Sequence, residues 1–262
     1  MSLAKMSPDP GRPDGRHERP AGRHSRVELA GVTLVREGRR VLGPLDLDLR
    51  VGRLGVVGRN GSGKSTLTRV LAGLAAPSAG RVRLDGIDPA GNRRAALAAV
   101  GILFQNPDHQ LIFPTVLEEV AFGLSQQGRP RGAAEAEARR ALGRFGRAHW
   151  AETSVATLSQ GQKHLVCLIS ITAMAPALLL LDEPFAGLDI PTKMQLSRHL
   201  RQFGGSVIHV SHDPADLEAC DRVLWLDAGR IRSEGPAEEV LPAYVAAMRA
   251  LGETDDLSDL PG

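Results

Sequence analysis

Within the run Gly58-Arg59-Asn60-Gly61-Ser62-Gly63-Lys64-Ser65-Thr66, residues 58–65 fit the pattern Gly-x4-Gly-Lys-Ser. Glycines let the backbone curl so that successive amide N–H groups point at one centre, and a helix starting at the end of the loop adds its positive end. A polyphosphate then meets donors and field together. Lys64 can reach the β and γ phosphates, and Ser65 offers a hydroxyl to Mg²⁺, a cation that takes hard oxygen ligands together with phosphate. A second constellation is Leu178-Leu179-Leu180-Leu181-Asp182-Glu183-Pro184, which brings adjacent carboxylates to the end of an aliphatic run. Neighbouring residues on a strand point opposite ways, so one acid can face a metal and the other a different partner. Asp182 is assigned to Mg²⁺ through water, and Glu183 to the attacking water as general base. The third is Leu158-Ser159-Gln160-Gly161-Gln162. Ser159 with Gln162 three residues on is a capping box, which leaves a serine, Gly161 and bare helix-terminal amides at one helix end. Alone it would be an ordinary helix cap. In one chain with the glycine loop it makes a second phosphate-seeking helix end, and one nucleotide needs only one such loop, so the second end suits the nucleotide of a partner subunit.

The surrounding pattern supplies the elements these groups need. Leu54-Gly55-Val56-Val57 is a buried-strand pattern that enters the glycine loop, and Leu67, Val70, Leu71 and Leu74 leave it at helical spacing. Upstream, residues 27–35 and 41–49 flank the polar Arg36-Glu37-Gly38-Arg39-Arg40 and read as an antiparallel pair. Residues 82–84 and 100–104 are further strands, with a short helix at 95–99. Residues 108–157 are rich in Ala, Arg, Glu and Gln and read as helical, Thr115 and Glu118 opening one helix as a capping box and 133–145 making the next. Strands at 178–181, 207–210 and 223–226 alternate with helical stretches, the rhythm of a mostly parallel sheet in an α/β fold. Residues 236–251 close the chain as a helix. Residues 165–181, uncharged throughout, are cut by Pro176 and read as helix, turn and buried strand rather than a membrane span.

Composition narrows the function classes. The chain of 262 residues carries 32 basic and 30 acidic side chains, a balance that argues against holding nucleic acid by field alone. Residues 1–26, rich in Pro, Gly, Arg and His, read as a disordered basic tail without a secretory signal, and 253–262 as an acidic tail. Cys167 and Cys220 are too few for a disulfide scaffold and suit a reducing compartment. Only Lys5, Lys64, Lys163 and Lys193 are lysine, so each lysine invites a question. No aromatic residue precedes Phe104, which excludes aromatic stacking from any site in the first hundred residues.

With these motifs together, residues 27–251 resemble the ATP-binding subunits of ABC transporters. Residues 58–66 are similar to the Walker A loop, Gln105 to the Q-loop glutamine, 158–162 to the LSGGQ signature with Gln160 in place of a glycine, and 178–183 to the Walker B strand. Ala186-Gly187-Leu188-Asp189 resembles the D-loop, and Val210-Ser211-His212-Asp213 the switch histidine. The resemblance implies a P-loop NTPase of the ABC ATPase fold: a domain over 27–252 with a mostly parallel core sheet, an N-terminal antiparallel region and a helical insert at about 108–160. It implies ATP and Mg²⁺ as cofactors, with Gln105 beside the metal and a γ-phosphate contact for His212. It also implies a head-to-tail pair of such subunits, identical or paralogous, with Ser159, Gly161, Gln162 and Asp189 facing the partner's nucleotide. The family usually stacks adenine on an aromatic residue in the first hairpin. Here Arg36 occupies that place, and a guanidinium plane can stack on a base.

Phe104-Gln105-Asn106-Pro107-Asp108-His109-Gln110 and residues 113–124 resemble the energy-coupling-factor (ECF) importers, which take up vitamins and metal ions. That resemblance implies a transmembrane scaffold subunit docking near residues 108–119, with Asp108, Glu118 and Glu119 as candidates to receive its coupling-helix arginines. It also implies a separate substrate-binding membrane subunit and a peripheral place on the cytoplasmic face of the inner membrane. Within the family the Arg-Glu-Gly-Arg-Arg hairpin, Gly58-Arg59-Asn60 and Asp108-His109 most resemble biotin-transport subunits, with cobalt and nickel subunits next. A P-loop kinase would not need Leu158, Asp189 and His212 in this order. A DNA-repair ATPase of the same class would carry a long coiled-coil insertion, for which the chain has no room, and no nucleic-acid partner is expected.

Overall fold

The computed structural model describes residues 24–253. The expected tails at 1–26 and 253–262 lie outside it except at their inner ends, where Ser25 and Arg26 already belong to the first strand. In chain order the elements are β1 (Ser25–Arg36), β2 (Arg39–Val51), β3 (Arg53–Val57), α1 (Lys64–Leu71), β4 (Ala79–Leu84), α2 (Arg93–Ala99), β5 (Val100–Leu103), α3 (Val116–Gln126) and α4 (Arg131–Arg144). They continue with α5 (Gln160–Ala173), β6 (Leu178–Asp182), α6 (Ile190–Gln202), β7 (Ser206–Ser211), β8 (Arg222–Asp227), β9 (Arg230–Pro236) and α7 (Ala237–Gly252). Short 3₁₀ turns fill several of the connections.

Two sheets share the work. An antiparallel sheet runs in the order β2-β1-β4, and a larger one in the order β5-β6-β7-β3-β8-β9. Within the larger sheet the strands from β5 to β8 pair in parallel, and β9 is antiparallel on β8. Sequence periodicity did not anticipate β9. Of its residues only Gly235 is buried, and its charged, weakly alternating side chains with Pro236 at the end suit an edge strand that leans on β8 for its pairing. The Thr115–Glu118 capping box is present at the start of α3, both bonds made.

β6 shows how the layers meet. Leu178 and Leu180 belong to the core shared with the antiparallel sheet and α1, whereas Leu179 and Leu181 belong to the core built with α3, α4 and α5. All four are buried on one face or the other, which is why the run has no polar alternation. A third core sets Val57, Val223 and Trp225 against Val240, Leu241 and Tyr244 of α7. In register, Asp182 lies opposite Val210, and Val57 opposite Ser211. The carboxyl ends of β3, β6 and β7 therefore finish together, at the edge where open parallel sheets bind ligands.

One of the buried polar side chains lacks a partner at a ring nitrogen. His209 on β7 is 7 % exposed, its ring packs edge-on against Phe185 at 5.2 Å between centroids, and its Nε2 has no hydrogen-bond partner. Burial pushes its pKa down to about 4, against the pull of Asp216. An exposed imidazole titrates near 6.5, so as pH falls from 6.5 toward 4 the unfolded chain takes up a proton that the folded one refuses, and stability is lost over that window. At pH 4.5 the loss amounts to about 2–3 kcal/mol. A His209→Leu variant is expected to lose correspondingly less stability than the parent between pH 7 and pH 4.5, read as the shift in urea midpoint.

Candidate nucleotide-binding and hydrolysis site

The glycine loop leaves the carboxyl end of β3 under tight steric limits. A Cβ on Gly58 would lie 2.2 Å from the Leu226 carbonyl oxygen and 2.6 Å from Ser62 Oγ, so no larger residue fits. Gly61 and Gly63 take φ of 77° and 101°, left-handed values that cost a side-chain-bearing residue. The loop is fastened from outside: the Gly229 N–H donates to the Ser62 carbonyl at 3.0 Å, and the Gly43 N–H donates to the Gly229 carbonyl at 2.7 Å. Lys64 is buried, and its ammonium donates to the carbonyls of Gly58 at 2.7 Å and Arg59 at 3.0 Å. Burial pulls its pKa below the ordinary lysine value, with Glu183 and Asp182 pulling the other way. Ser62 Oγ is buried without a hydrogen-bond partner, a polar atom that a phosphate oxygen would satisfy. Asn60 and Ser65 are exposed and Thr66 is half-buried.

Asp182 continues the face of Leu178 and Leu180, the side on which α1 packs, and so meets that helix's first turn. Ser65 Oγ donates to Asp182 Oδ1 at 3.0 Å. Burial raises the Asp182 pKa above the usual aspartate value; the Ser65 hydrogen bond opposes this and the Glu183 charge adds to it. A hydroxyl and a carboxylate held together beside a phosphate cradle form a hard-oxygen donor set that fits Mg²⁺, whose charge would reverse the Asp182 shift.

The alternation expected of neighbouring strand residues does not carry on to Glu183. It lies one residue past β6 with φ of 53°, a left-handed conformation that returns its side chain toward the loop. Its Oε1 sits 4.0 Å from Lys64 Nζ and its Oε2 2.8 Å from His212 Nδ1. Glu183 is 8 % exposed, whereas the His212 side chain, at 55 %, faces outward. One rim thus gathers the loop, Ser65, Asp182, Glu183 and His212.

Gln105 emerges at the same edge, because Leu103 pairs with Leu181 two residues before it. Its side chain is exposed, and its carbonyl is held by His164, a residue that sequence reasoning missed. The fully buried His164 ring sets Nε2 3.1 Å from the Gln105 carbonyl and Nδ1 3.2 Å from the Gln160 carbonyl, joining the Q-loop backbone to the first turn of α5. Lys163 adds an ion pair to Asp108 at 2.7 Å. Asp108 is therefore engaged within the chain.

Glu118 and Glu119 each hold backbone of the fold, Glu118 from an exposed position. Glu118 completes the cap of Thr115. Glu119 is 4 % exposed and accepts the N–H groups of Ile112 at 2.8 Å and Phe113 at 2.9 Å, so it holds the loop before α3 and offers no carboxylate to an arriving arginine. Arg36 stands exposed at the tip of the β1–β2 hairpin, opposite Arg39.

The remaining candidates gather elsewhere. Ser159 caps α5 with the expected box, accepting from the Gln162 N–H at 3.3 Å, and both residues are exposed. Asp189 caps α6, accepting from the Thr192 N–H at 3.0 Å, and the Thr192 side chain first and this N–H second hold its pKa below the usual value. A Cβ on Gly161 would come within 2.7 Å of Thr192 Cγ2, so the starts of α5 and α6 touch and their exposed caps form one surface.

The model of the family described as ABC transporter matches residues 42–186. The biotin transport ATP-binding protein of Rhodobacter capsulatus is 50 % identical over 225 residues, covering 86 % of this chain and 96 % of that protein. An energy-coupling factor transporter ATP-binding protein of Symbiobacterium thermophilum is 39 % identical, covering 87 % and 80 %. Among solved structures, CbiO1 of Clostridium perfringens, part of the ABC transporter complex CbiONQ, superposes with a TM-score of 0.72 at 28 % identity and covers 88 % of this chain and 96 % of that one. Fold, rim and matches agree: the chain belongs to the ABC transporter family, as one of its ATP-binding proteins.

Proposed function

We propose that the chain hydrolyses ATP for an ECF-type importer whose cargo is biotin. The observation that carries hydrolysis is the joining of Ser65 to Asp182 and of Glu183 to both Lys64 and His212 around one loop. The 50 % identity to a biotin transport protein, over nearly its whole length, favours biotin. The loop amides, Ser62, Lys64 and Thr66 hold the phosphates, with Lys64 exchanging the Gly58 and Arg59 carbonyls for β and γ oxygens. Ser65, Asp182 and Gln105 hold Mg²⁺, which when bound neutralises charge developing on the phosphates. Glu183 takes the proton of a water that attacks the γ phosphorus as ADP leaves, and His212 orients that carboxylate. Arg36 stacks on the base.

Ser159, Gly161, Gln162 and Asp189 serve the nucleotide of a second ATPase subunit, identical or paralogous. They stand on a separate exposed surface and need such a partner to meet a loop. No helix among the described residues is long and apolar enough to cross a membrane. In this proposal membrane attachment runs through a scaffold subunit seated near Asp108, with a separate subunit choosing the cargo.

In the assembled transporter, Glu183→Gln is expected to lower the rate of phosphate release by about 10²–10⁴-fold while ATP binding persists and the subunit pair is favoured. A normal rate would remove the general-base role. Lys64→Ala is expected to abolish ATP binding by the chain, measured by calorimetry with and without Mg²⁺. Co-expression with its membrane partners should confer uptake of labelled biotin in preference to cobalt or nickel, and uptake of a metal ion in its place would overturn the choice of cargo.

A further inference from the structure

Lys193 and Asp216 take no part in the chemistry assigned above, yet the structure closes a ring of contacts through them. Asp189 caps α6, and one turn later the Lys193 N–H donates to the Asp189 carbonyl at 2.9 Å. The Lys193 ammonium is ion-paired with Asp216 Oδ1 and lies 5.4 Å from the centroid of the Phe185 ring. Asp216 sits in the 3₁₀ turn Pro214–Leu217, its side chain 8 % exposed. Its other oxygen accepts from Ser211 Oγ at 3.0 Å, and Ser211 Oγ in turn accepts the Asp213 N–H at 3.1 Å. Those last two bonds bracket His212 on both sides, and His212 closes the ring on Glu183 at 2.8 Å. Phe185 completes it from the other end, two residues after Glu183.

Solvent surrounds more than half of the His212 side chain, so its ring has little packing to hold it. What fixes its backbone is the Ser211 hydroxyl, whose proton goes to Asp216 and whose lone pair takes the Asp213 N–H. The Lys193 ammonium faces Asp216 in this buried place and supplies the opposing charge. We infer that Lys193 and Asp216 are positioning residues that hold His212 against Glu183, and that they link this pair to the start of α6, where Asp189 faces outward. The inference rests on the proposed roles of Glu183 and His212.

Its test compares Lys193→Met, Lys193→Arg and Asp216→Asn in the assembled transporter, with Glu183→Gln and His212→Ala as controls. Lys193→Met and Asp216→Asn are expected to lower kcat at least tenfold with KM for ATP changed less than twofold. Lys193→Arg should recover most of the rate, since it restores the charge opposite Asp216. In the isolated chain the imidazole signals of His212, assigned by their loss in His212→Ala, should move in Lys193→Met while ATP affinity stays constant. Unchanged kcat and an unmoved His212 signal in a folded Lys193→Met chain would overturn the inference, and so would a rise in KM with kcat intact. If Lys193→Met does not fold, the decision passes to Asp216→Asn, which keeps the size and the acceptor for Ser211 and removes only the charge. Controls that hydrolyse ATP normally would remove the Glu183–His212 reading itself and this inference with it, an outcome separate from failure at Lys193 alone.

Discussion

An ammonium group taken out of water must be given oxygen atoms, and that requirement at Lys64 organises the rim around it. The side chain is 6 % exposed and takes two backbone carbonyls of its own loop, while Glu183 and Asp182 supply the opposing charge. For the carbonyls to be within reach the loop must fold back on itself, which demands the left-handed glycines. For the acids to be within reach β6 must lie at a fixed height relative to β3. The strand order β6-β7-β3 meets that demand by setting a single strand between them and ending all three at one edge. In the proposed role, a polyphosphate entering here would replace one set of oxygens by another, so that the ammonium is not left without acceptors.

What could be read without coordinates was whatever a short stretch of chain decides by itself. The capping boxes at Thr115 and Ser159 are four-residue affairs between neighbours and are legible in the sequence. So were the glycine loop between its strand and helix, and the run of leucines before Asp182. Less legible was anything that depends on where a chain end turns. Glu183 was expected to point away from Asp182, and a single left-handed φ just beyond the strand brings its carboxylate back to Lys64 and His212. Glu119 shows the converse: an acid beside a cap looks like a surface charge in sequence, but its position on α3 places it under a loop whose amides it must accept. His164 was illegible because its worth comes from carbonyls of two segments far apart in the chain.

The lysines divide differently from the arginines. Each of the three lysines among the described residues pairs with an acid on a different element at a functional loop: Lys64 with Glu183, Lys163 with Asp108, Lys193 with Asp216. Several of the arginine pairs, such as Arg131 with Glu135 and Arg140 with Glu137, are neighbours on one helix whose guanidinium groups stand in water, which screens them. At Lys64, the one of the three that is buried, a compact ammonium enters a space that a guanidinium fork cannot.

The leucine run of β6 has a consequence for how the chain finds its register. Because Leu178, Leu179, Leu180 and Leu181 are identical, a strand displaced by one residue would still offer leucine to both cores, and hydrophobic packing by itself could not tell the two alignments apart. The difference lies at the end of the run. Displacement that moved Asp182 into the place of Leu181 would sink a carboxylate among the apolar side chains of the helical core and separate it from Ser65. The acid proposed to hold the metal is thus also the mark by which an otherwise featureless strand is aligned, so a change at Asp182 can be felt in folding as well as in hydrolysis.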